Sequence, residues 1–234
     1  MNTLMIDNDT ILGEFKNMIS QKYEHHRPRL LILLGNPSLL LRDEYRELWG
    51  DIPIVLCSEE KFIGPKDTYI YKQPVTQAER VPISQLADPY NLVLLYSNLY
   101  LRENIQLISH IIPDMKKFIF IGDEREINQT NNLEIQTKLK AINPNIEYQY
   151  ITPQKMTTNQ LLDSLYHVDP NTTGILFASW FYKTTFAGNT SLVTNAHKLI
   201  VTTTAPIFTL KDTNSQHYIF SVELRQIIDK IGIC

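Results

Sequence analysis

The polar side chains that could do chemistry in this chain stand directly behind apolar segments. The candidates are Asn36 and Ser38 after RLLILLG, Ser58 after IPIVLC, Asp123 after KFIFIG, and Ser179, Trp180 and Tyr182 at the end of GILFAS. Amide, hydroxyl and aromatic groups of this kind suit reversible binding of a small polar molecule by hydrogen bonding and stacking. A sugar, a nucleoside and an aromatic amino acid fit equally well. Two interpretations of Trp180 stay open: the floor of a ligand cleft, or a side chain packed under a neighbouring loop.

The sequence gives little support to catalysis or metal binding. It contains no G-x-G-x-x-G, G-x-x-x-x-G-K-[ST], H-E-x-x-H or G-x-S-x-G motif. His25 and His26 stand at a predicted helix end, where cationic side chains commonly cap the last turn. Asp123 and Glu124 are neighbours on a turn, and adjacent carboxylates rarely converge on one substrate atom. We therefore expect no catalytic residues, no metal and no cofactor.

Composition excludes several classes of partner. The net charge is -3 and no long basic run exists, so we expect no nucleic-acid binding. The 8 glycines are about half of the roughly 16 that average usage would give, which disfavours a glycine-rich phosphate loop. Cys57 and Cys234 are too few for a disulfide framework. No segment approaches the ~20 apolar residues of a membrane span.

Strands and helices alternate along the chain and would position these side chains. Strands are predicted at 3–6, 29–35, 52–57, 91–96, 117–122, 146–151, 174–179 and 206–210, with helices between them, including one near 190–198. Asn8 is among the capping residues before the first helix, and Thr157 with Gln160 suits a capping box. RLLILLG is apolar throughout, which is typical of a strand covered on both faces of a parallel sheet. This alternation predicts parallel sheets, with the candidate side chains at their carboxyl edges.

The irregular stretch 58–90, with four prolines, interrupts this alternation and predicts a boundary between two lobes. We predict two Rossmann-like α/β lobes: residues 1–90 with 213–234 form lobe one, and 91–212 form lobe two. A final helix over Glu223–Ile231, with Leu224, Ile227, Ile228 and Ile231 on its inner face, should return to lobe one. Trp180 and Tyr182 would then face Asn36, Ser38 and Ser58 across a cleft.

Four runs of sequence resemble the periplasmic substrate-binding proteins of ABC transporters. They are RPRLLILLGNPSLLLRDEYRELWGDIPIVLCS, ENIQLISHIIPDMKKFIFIGDE, GILFASWFYKTTFAG and TTTAPIFTLKD. The similarity extends from about Met5 to Asp212, and the order and spacing of the runs carry it. The form that the chain most resembles is the extracytoplasmic sensor domain of hybrid two-component histidine kinases in Bacteroidetes-type bacteria.

The resemblance implies a periplasmic binding protein type I-like fold that binds a small solute between its lobes without catalysis. The first hypothesis is a sensor domain of a membrane histidine kinase that signals by lobe closure; the second is a free solute-binding protein of a transporter. A cytoplasmic α/β enzyme acting on a nucleotide or sugar is the third. The sensor would be periplasmic, attached to the membrane only through the rest of its protein, and able to form a homodimer.

The chain departs from this family at both ends. It lacks the family's first strand and helix, and TNSQHYIFSVELRQIIDKIGIC replaces a glycine-rich turn. Both departures suggest a domain excised from a longer protein, whereas a natural start at Met1 would make the protein cytoplasmic.

Overall fold

The computed structural model describes residues 6–186, 189–194, 203–210 and 220–221, and the structural statements below concern these residues. The chain divides into two units, Met1–Asn98 and Leu99–Cys234. Each unit is built on a parallel sheet with helices packed against it. The predicted α/β class with parallel sheets is therefore confirmed.

The first unit holds a three-stranded parallel sheet in the order β1-β2-β5. Its elements are α1 (Asp9–Lys22), β1 (Leu31–Leu34), α2 (Arg42–Trp49), β2 (Ile54–Ser58), β3 (Phe62–Ile63), α3 (Lys66–Ile70), β4 (Val81–Pro82) and β5 (Leu92–Tyr96). A 3-10 turn over Asn36–Leu41 leads from β1 into α2. The short strands β3 and β4 form a separate antiparallel pair.

The predicted start of α1 is confirmed by its cap. The Asn8 side chain accepts a hydrogen bond from the Ile11 N–H at 2.9 Å, which satisfies one of the donors that a helix start leaves open. Ile11, Phe15 and Ile19 recur at helical spacing and pack on the first unit's core. Of the strand predicted at 3–6, residues 3–5 lie outside the described residues, and Ile6 is buried but not in a strand.

Among the described residues the first sheet is covered on one face only, which differs from the expectation that RLLILLG lies between two covered faces. Leu33, Ile54 and Leu56 point into the core, whereas Ile32 and Leu34 are exposed. The physical reason is the strand order. Both connections move the chain in the same direction across the sheet, and right-handed crossovers then place both on the same face.

The second unit holds a five-stranded parallel sheet in the order β12-β11-β8-β6-β7. Its elements are α4 (Leu101–Ile111), β6 (Lys117–Ile121), α5 (Glu126–Ile142), β7 (Glu147–Ile151), α6 (Thr158–Tyr166), β8 (Thr173–Phe177), β9 (Phe181–Phe186), β10 (Asn189–Thr194), β11 (Ile207–Thr209) and β12 (Phe220–Ser221). The predicted capping box of α6 is present, with Thr157 and Gln160 exchanging hydrogen bonds.

Both faces of the second sheet are covered. Phe118 and Phe120 pack with residues of α4 and α5 on one face, and Ile119 and Ile121 pack with residues of α6 on the other. The chain moves one way from β6 to β7 and the opposite way from β7 to β8, so right-handed crossovers put α5 and α6 on opposite faces. The two central strands of this sheet, β6 and β8, are therefore buried on both faces.

Three predicted assignments differ from the structure. Leu92–Tyr96, assigned to lobe two, pairs with β2 in the first sheet, so the boundary falls after Asn98. Phe220–Ser221, assigned to lobe one, pairs with β11 in the second sheet; residues 222–234, with the predicted final helix, lie outside the described residues. In the helix predicted near 190–198, residues 190–194 belong instead to β10, which pairs antiparallel with β9; residues 195–198 are not described.

Candidate functional site

The carboxyl edge of the second sheet contains the point at which the strand order reverses. From β6 the chain goes through α5 to β7 on one side, and then through α6 to β8 on the other side of β6. In open parallel sheets the crevice at such a point is where ligands bind. Asp123 follows β6 and Ser179 follows β8, so two predicted site residues flank this point.

Asp123 is the centre of a hydrogen-bonded cluster at this edge, and its side chain is wholly buried. The Ser179 hydroxyl donates to Asp123 Oδ2 at 2.7 Å and the Asn128 amide donates to Oδ1 at 2.9 Å. The same Asn128 nitrogen lies 2.8 Å from Ser179 Oγ. The Tyr150 hydroxyl donates to the backbone carbonyl of Asp123 at 2.8 Å. The cluster thus joins the ends of β6, β7 and β8.

Arg125 completes the cluster and immediately precedes α5. Its Nε donates to Asp123 Oδ1 at 2.9 Å, its Nη2 donates to Oδ2 at 2.8 Å, and its backbone N–H donates to Oδ1 at 3.0 Å. The guanidinium carbon lies 5.3 Å from the centre of the Phe181 ring, within cation–π distance. About 30% of the side chain is exposed. Since Asp123 engages Nε and Nη2, the Nη1 donors lie outside that bidentate pair.

Glu124 and Lys155 lie beside the cluster. Burial raises the pKa of the Glu124 carboxyl above its ordinary value, although a hydrogen bond from the Gln154 N–H to Oε1 at 2.9 Å opposes the shift. Lys155 Nζ lies 5.5 Å from the centre of the Tyr150 ring. Thr209, at the carboxyl end of β11, is buried and its hydroxyl has no hydrogen-bond partner among the described residues. This edge therefore combines donors, an acid and aromatic rings.

Trp180 is not an exposed cleft aromatic, and that expectation is wrong. Its side chain is 1% exposed and packs with Ile121, Leu161 and their neighbours between the sheet and α6. Its indole N–H donates to Thr158 Oγ1 at 3.1 Å, which satisfies its one polar group. Of the two interpretations of Trp180, packing is the one that the structure supports. Tyr182 is half-buried and packs against the same cluster.

A second polar cluster lies at the carboxyl edge of the first sheet. The Ser58 hydroxyl donates to Asn36 Oδ1 at 2.6 Å, so these two predicted residues are in direct contact. The Asn36 amide donates to Glu60 Oε2 at 3.2 Å, and an Arg80 nitrogen lies 3.7 Å from the other oxygen of that carboxylate. Ser38 is not part of the cluster, because its hydroxyl donates to the Gly35 carbonyl at 2.6 Å.

The structure thus brings the predicted residues together as two local pairs, Asn36 with Ser58 and Asp123 with Ser179. That these pairs face one another across a ligand cleft stays a prediction. Sequence reasoning missed Arg125 and Asn128. The sequence predicts that Asn131 and Asn132 cap this helix, whereas α5 begins at Glu126, and this earlier start brings Arg125 and Asn128 back to Asp123.

In the described part of the chain, no group of three or more His, Cys, Asp or Glu side chains could hold a metal ion. In the same part, no helix has the length and apolar character needed to cross a membrane.

Comparison with known proteins does not place the chain in a family. No protein-family model matches it, and no curated protein matches it. Among solved structures it is similar to a conserved domain protein from Vibrio cholerae O1 biovar El Tor, with 13% identity and a TM-score of 0.49. The match covers 88% of this chain and 61% of the Vibrio chain, so this chain spans less than two thirds of that protein.

Proposed function

We propose that the chain is a small-molecule-binding module whose second unit holds a solute at its carboxyl edge. The observation that carries the proposal is the position of the Asp123–Arg125–Ser179 cluster at the reversal point between β6 and β8. This is the place where open parallel sheets bind ligands. It is also the edge at which helix α5 begins.

The chemistry of the cluster favours a solute with acceptor oxygens. The Asp123 carboxylate already accepts bonds from Arg125, Asn128 and Ser179, so its own capacity to bind a solute is largely used. Arg125 keeps donors outside that pair and presents them at a partly exposed position beside Phe181. Hydroxyl, carboxylate and phosphate oxygens are the groups that such donors bind. Sugars, nucleosides and amino acids all contain such oxygens.

The proposed role of this binding is sensing. The resemblance to the extracytoplasmic domains of two-component histidine kinases supports a domain that reports a solute to a kinase in the rest of its protein, with no catalysis of its own. The sequence next to this chain in its gene tests this role. A following transmembrane helix and kinase domain would agree with it, and a lipoprotein signal ahead of an isolated domain would favour a transporter's binding protein instead.

Binding is tested with a panel of sugars, nucleosides and amino acids, first by thermal shift and then by calorimetry. Arg125→Lys keeps the positive charge opposite Asp123 but removes the planar fork of donors, so we expect it to weaken the best-binding solute at least tenfold. Lys140→Ala is the matched control, because this exposed lysine lies in the last turns of α5, away from the carboxyl edge. A solute that binds wild type and Arg125→Lys equally well would contradict the proposed site.

A further inference from the structure

One face of the first sheet consists of apolar side chains that no described part of the first unit covers. The pairing register aligns these side chains in two rows across the three strands. The rows are Ile32, Val55 and Val93, and Leu34, Cys57 and Leu95. We call these six residues the open face.

The open face is unusual for parallel strands. Ile32, Leu34, Val93 and Leu95 are each between 55% and 75% exposed, whereas strands of parallel sheets are normally buried on both faces. No charged residue is among the six. Weighted by its exposed fractions, the face presents roughly 500 Å² to solvent, which is within the range of the largest apolar patch on a typical monomer. A surface of this size and character marks an interface.

We propose that the open face is covered by the open face of a second copy of this chain, so that the protein is a two-fold symmetric dimer. A two-fold interface must be complementary to itself, and a flat face of uncharged side chains brings no like charges together. Two such faces would bury roughly 1,000 Å², which is about the least that a specific interface needs. Packed sheets lie about 10 Å apart, a separation that Leu, Ile and Val side chains fill from both sides.

This proposal does not depend on solute binding. It concerns the first unit only, and the proposed solute cluster belongs to the second.

The oligomeric state of the full chain tests the proposal. Light scattering after size exclusion, from about 1 to 100 µM protein, should give the dimer mass. Leu34→Lys places a charge on the open face and should give a monomer with an unchanged far-UV circular dichroism spectrum. Leu133→Lys, which replaces another exposed leucine, on α5, is the matched control and should stay dimeric. Val93→Lys repeats the test on another strand if Leu34→Lys fails to fold.

Cys57 reports directly on what covers the face. In a Cys234→Ser background it is the only cysteine. Its reaction with a maleimide should be at least tenfold slower in the dimer than in the Leu34→Lys monomer, and it should speed up as the wild-type protein is diluted. A monomeric wild type would overturn the proposal, and the rate of Cys57 labelling would then show what covers the open face. Fast labelling would mean that the face is exposed to solvent. Slow labelling at every protein concentration would mean that another part of the same chain, such as residues 222–234, covers it.

Discussion

The buried carboxylate of Asp123 offers the sharpest test of the candidate site. Asp123→Asn removes its charge with almost no change of shape. In wild type both carboxylate oxygens accept hydrogen bonds, whereas the asparagine amide has only one acceptor oxygen. Its NH₂ group therefore replaces either Oδ1, and faces the donors of Arg125 and Asn128, or Oδ2, and faces those of Arg125 and Ser179. A hydrogen bond to a charged group contributes about 1.5–3 kcal/mol, and Arg125 also loses its counter-charge. We expect the free energy of unfolding of the second unit to fall by about 2–4 kcal/mol.

Urea unfolding followed by tryptophan fluorescence measures this change. The chain has two tryptophans, so in a Trp49→Phe background Trp180 alone reports on the second unit. Asp114→Asn is the matched control, because this exposed aspartate makes no described hydrogen bond or ion pair, and it should change the free energy by no more than about 0.5 kcal/mol. A loss below about 1 kcal/mol for Asp123→Asn would refute the reasoning, because the cluster would then contribute little to holding the strand ends together.

Substitutions at three further positions test the second unit. Trp180→Ala should lower the free energy of unfolding by about 3–5 kcal/mol through the cavity it leaves, and Trp180→Phe by clearly less, as urea unfolding would measure. Gly174→Ala should cost about 1–3 kcal/mol, because its Cβ would lie 2.6 Å from Met115 Sδ. Burial raises the pKa of the Glu124 carboxyl, so its ionised form destabilises the native state at pH 7. Glu124→Gln removes this charge and should raise the melting temperature at pH 7. The difference from wild type should vanish below pH 4.5, the pKa of the unfolded state, where the wild-type carboxyl is protonated in both states.

Local signals in the sequence predicted most of the elements. The helix starts at Asn8 and Thr157 were predictable because a cap depends on residues within one turn of each other. The apolar runs of the second sheet were predictable because strands buried on both faces need no polar side.

Strand partners were harder to predict because they depend on residues far apart in the chain. Nothing in the segment 91–96 shows that it pairs with β2 rather than with a strand of the second sheet. The same limit explains the open face: RLLILLG is as apolar as KFIFIG, and it is the strand order that leaves one face of β1 uncovered by the described residues. The hairpin of β9 and β10 did have a local signal, because Phe181–Phe186 is rich in aromatic residues and threonine, which favour strands.

The sequence was enough to predict that the site lies at the carboxyl edge of a sheet, but not which side chains contact each other there. Asp123 and Ser179 each follow a parallel strand, which places both at the same edge of the sheet. Their direct contact could not be predicted, because it requires that β6 and β8 are neighbouring strands. Trp180 was misjudged for a related reason. A residue that follows a strand can turn back under it, and the Thr158 hydroxyl that satisfies the indole belongs to a helix 22 residues earlier.

The pattern of donors and acceptors separates the residues that support this edge from those available to a solute. A buried carboxylate with every nearby donor pointing at it is a positioning residue, because a solute would have to displace bonds worth about 1.5–3 kcal/mol each to use it. Asp123 therefore fixes the side chain of Arg125, and in the proposed site the solute would bind the part of Arg125 that the ion pair leaves exposed. The same holds in the first unit, where Asn36 and Ser58 form hydrogen bonds with each other and Asn36 also donates one to Glu60. The solute contacts should accordingly come from side chains around these clusters, with Arg125 and Phe181 the first to substitute.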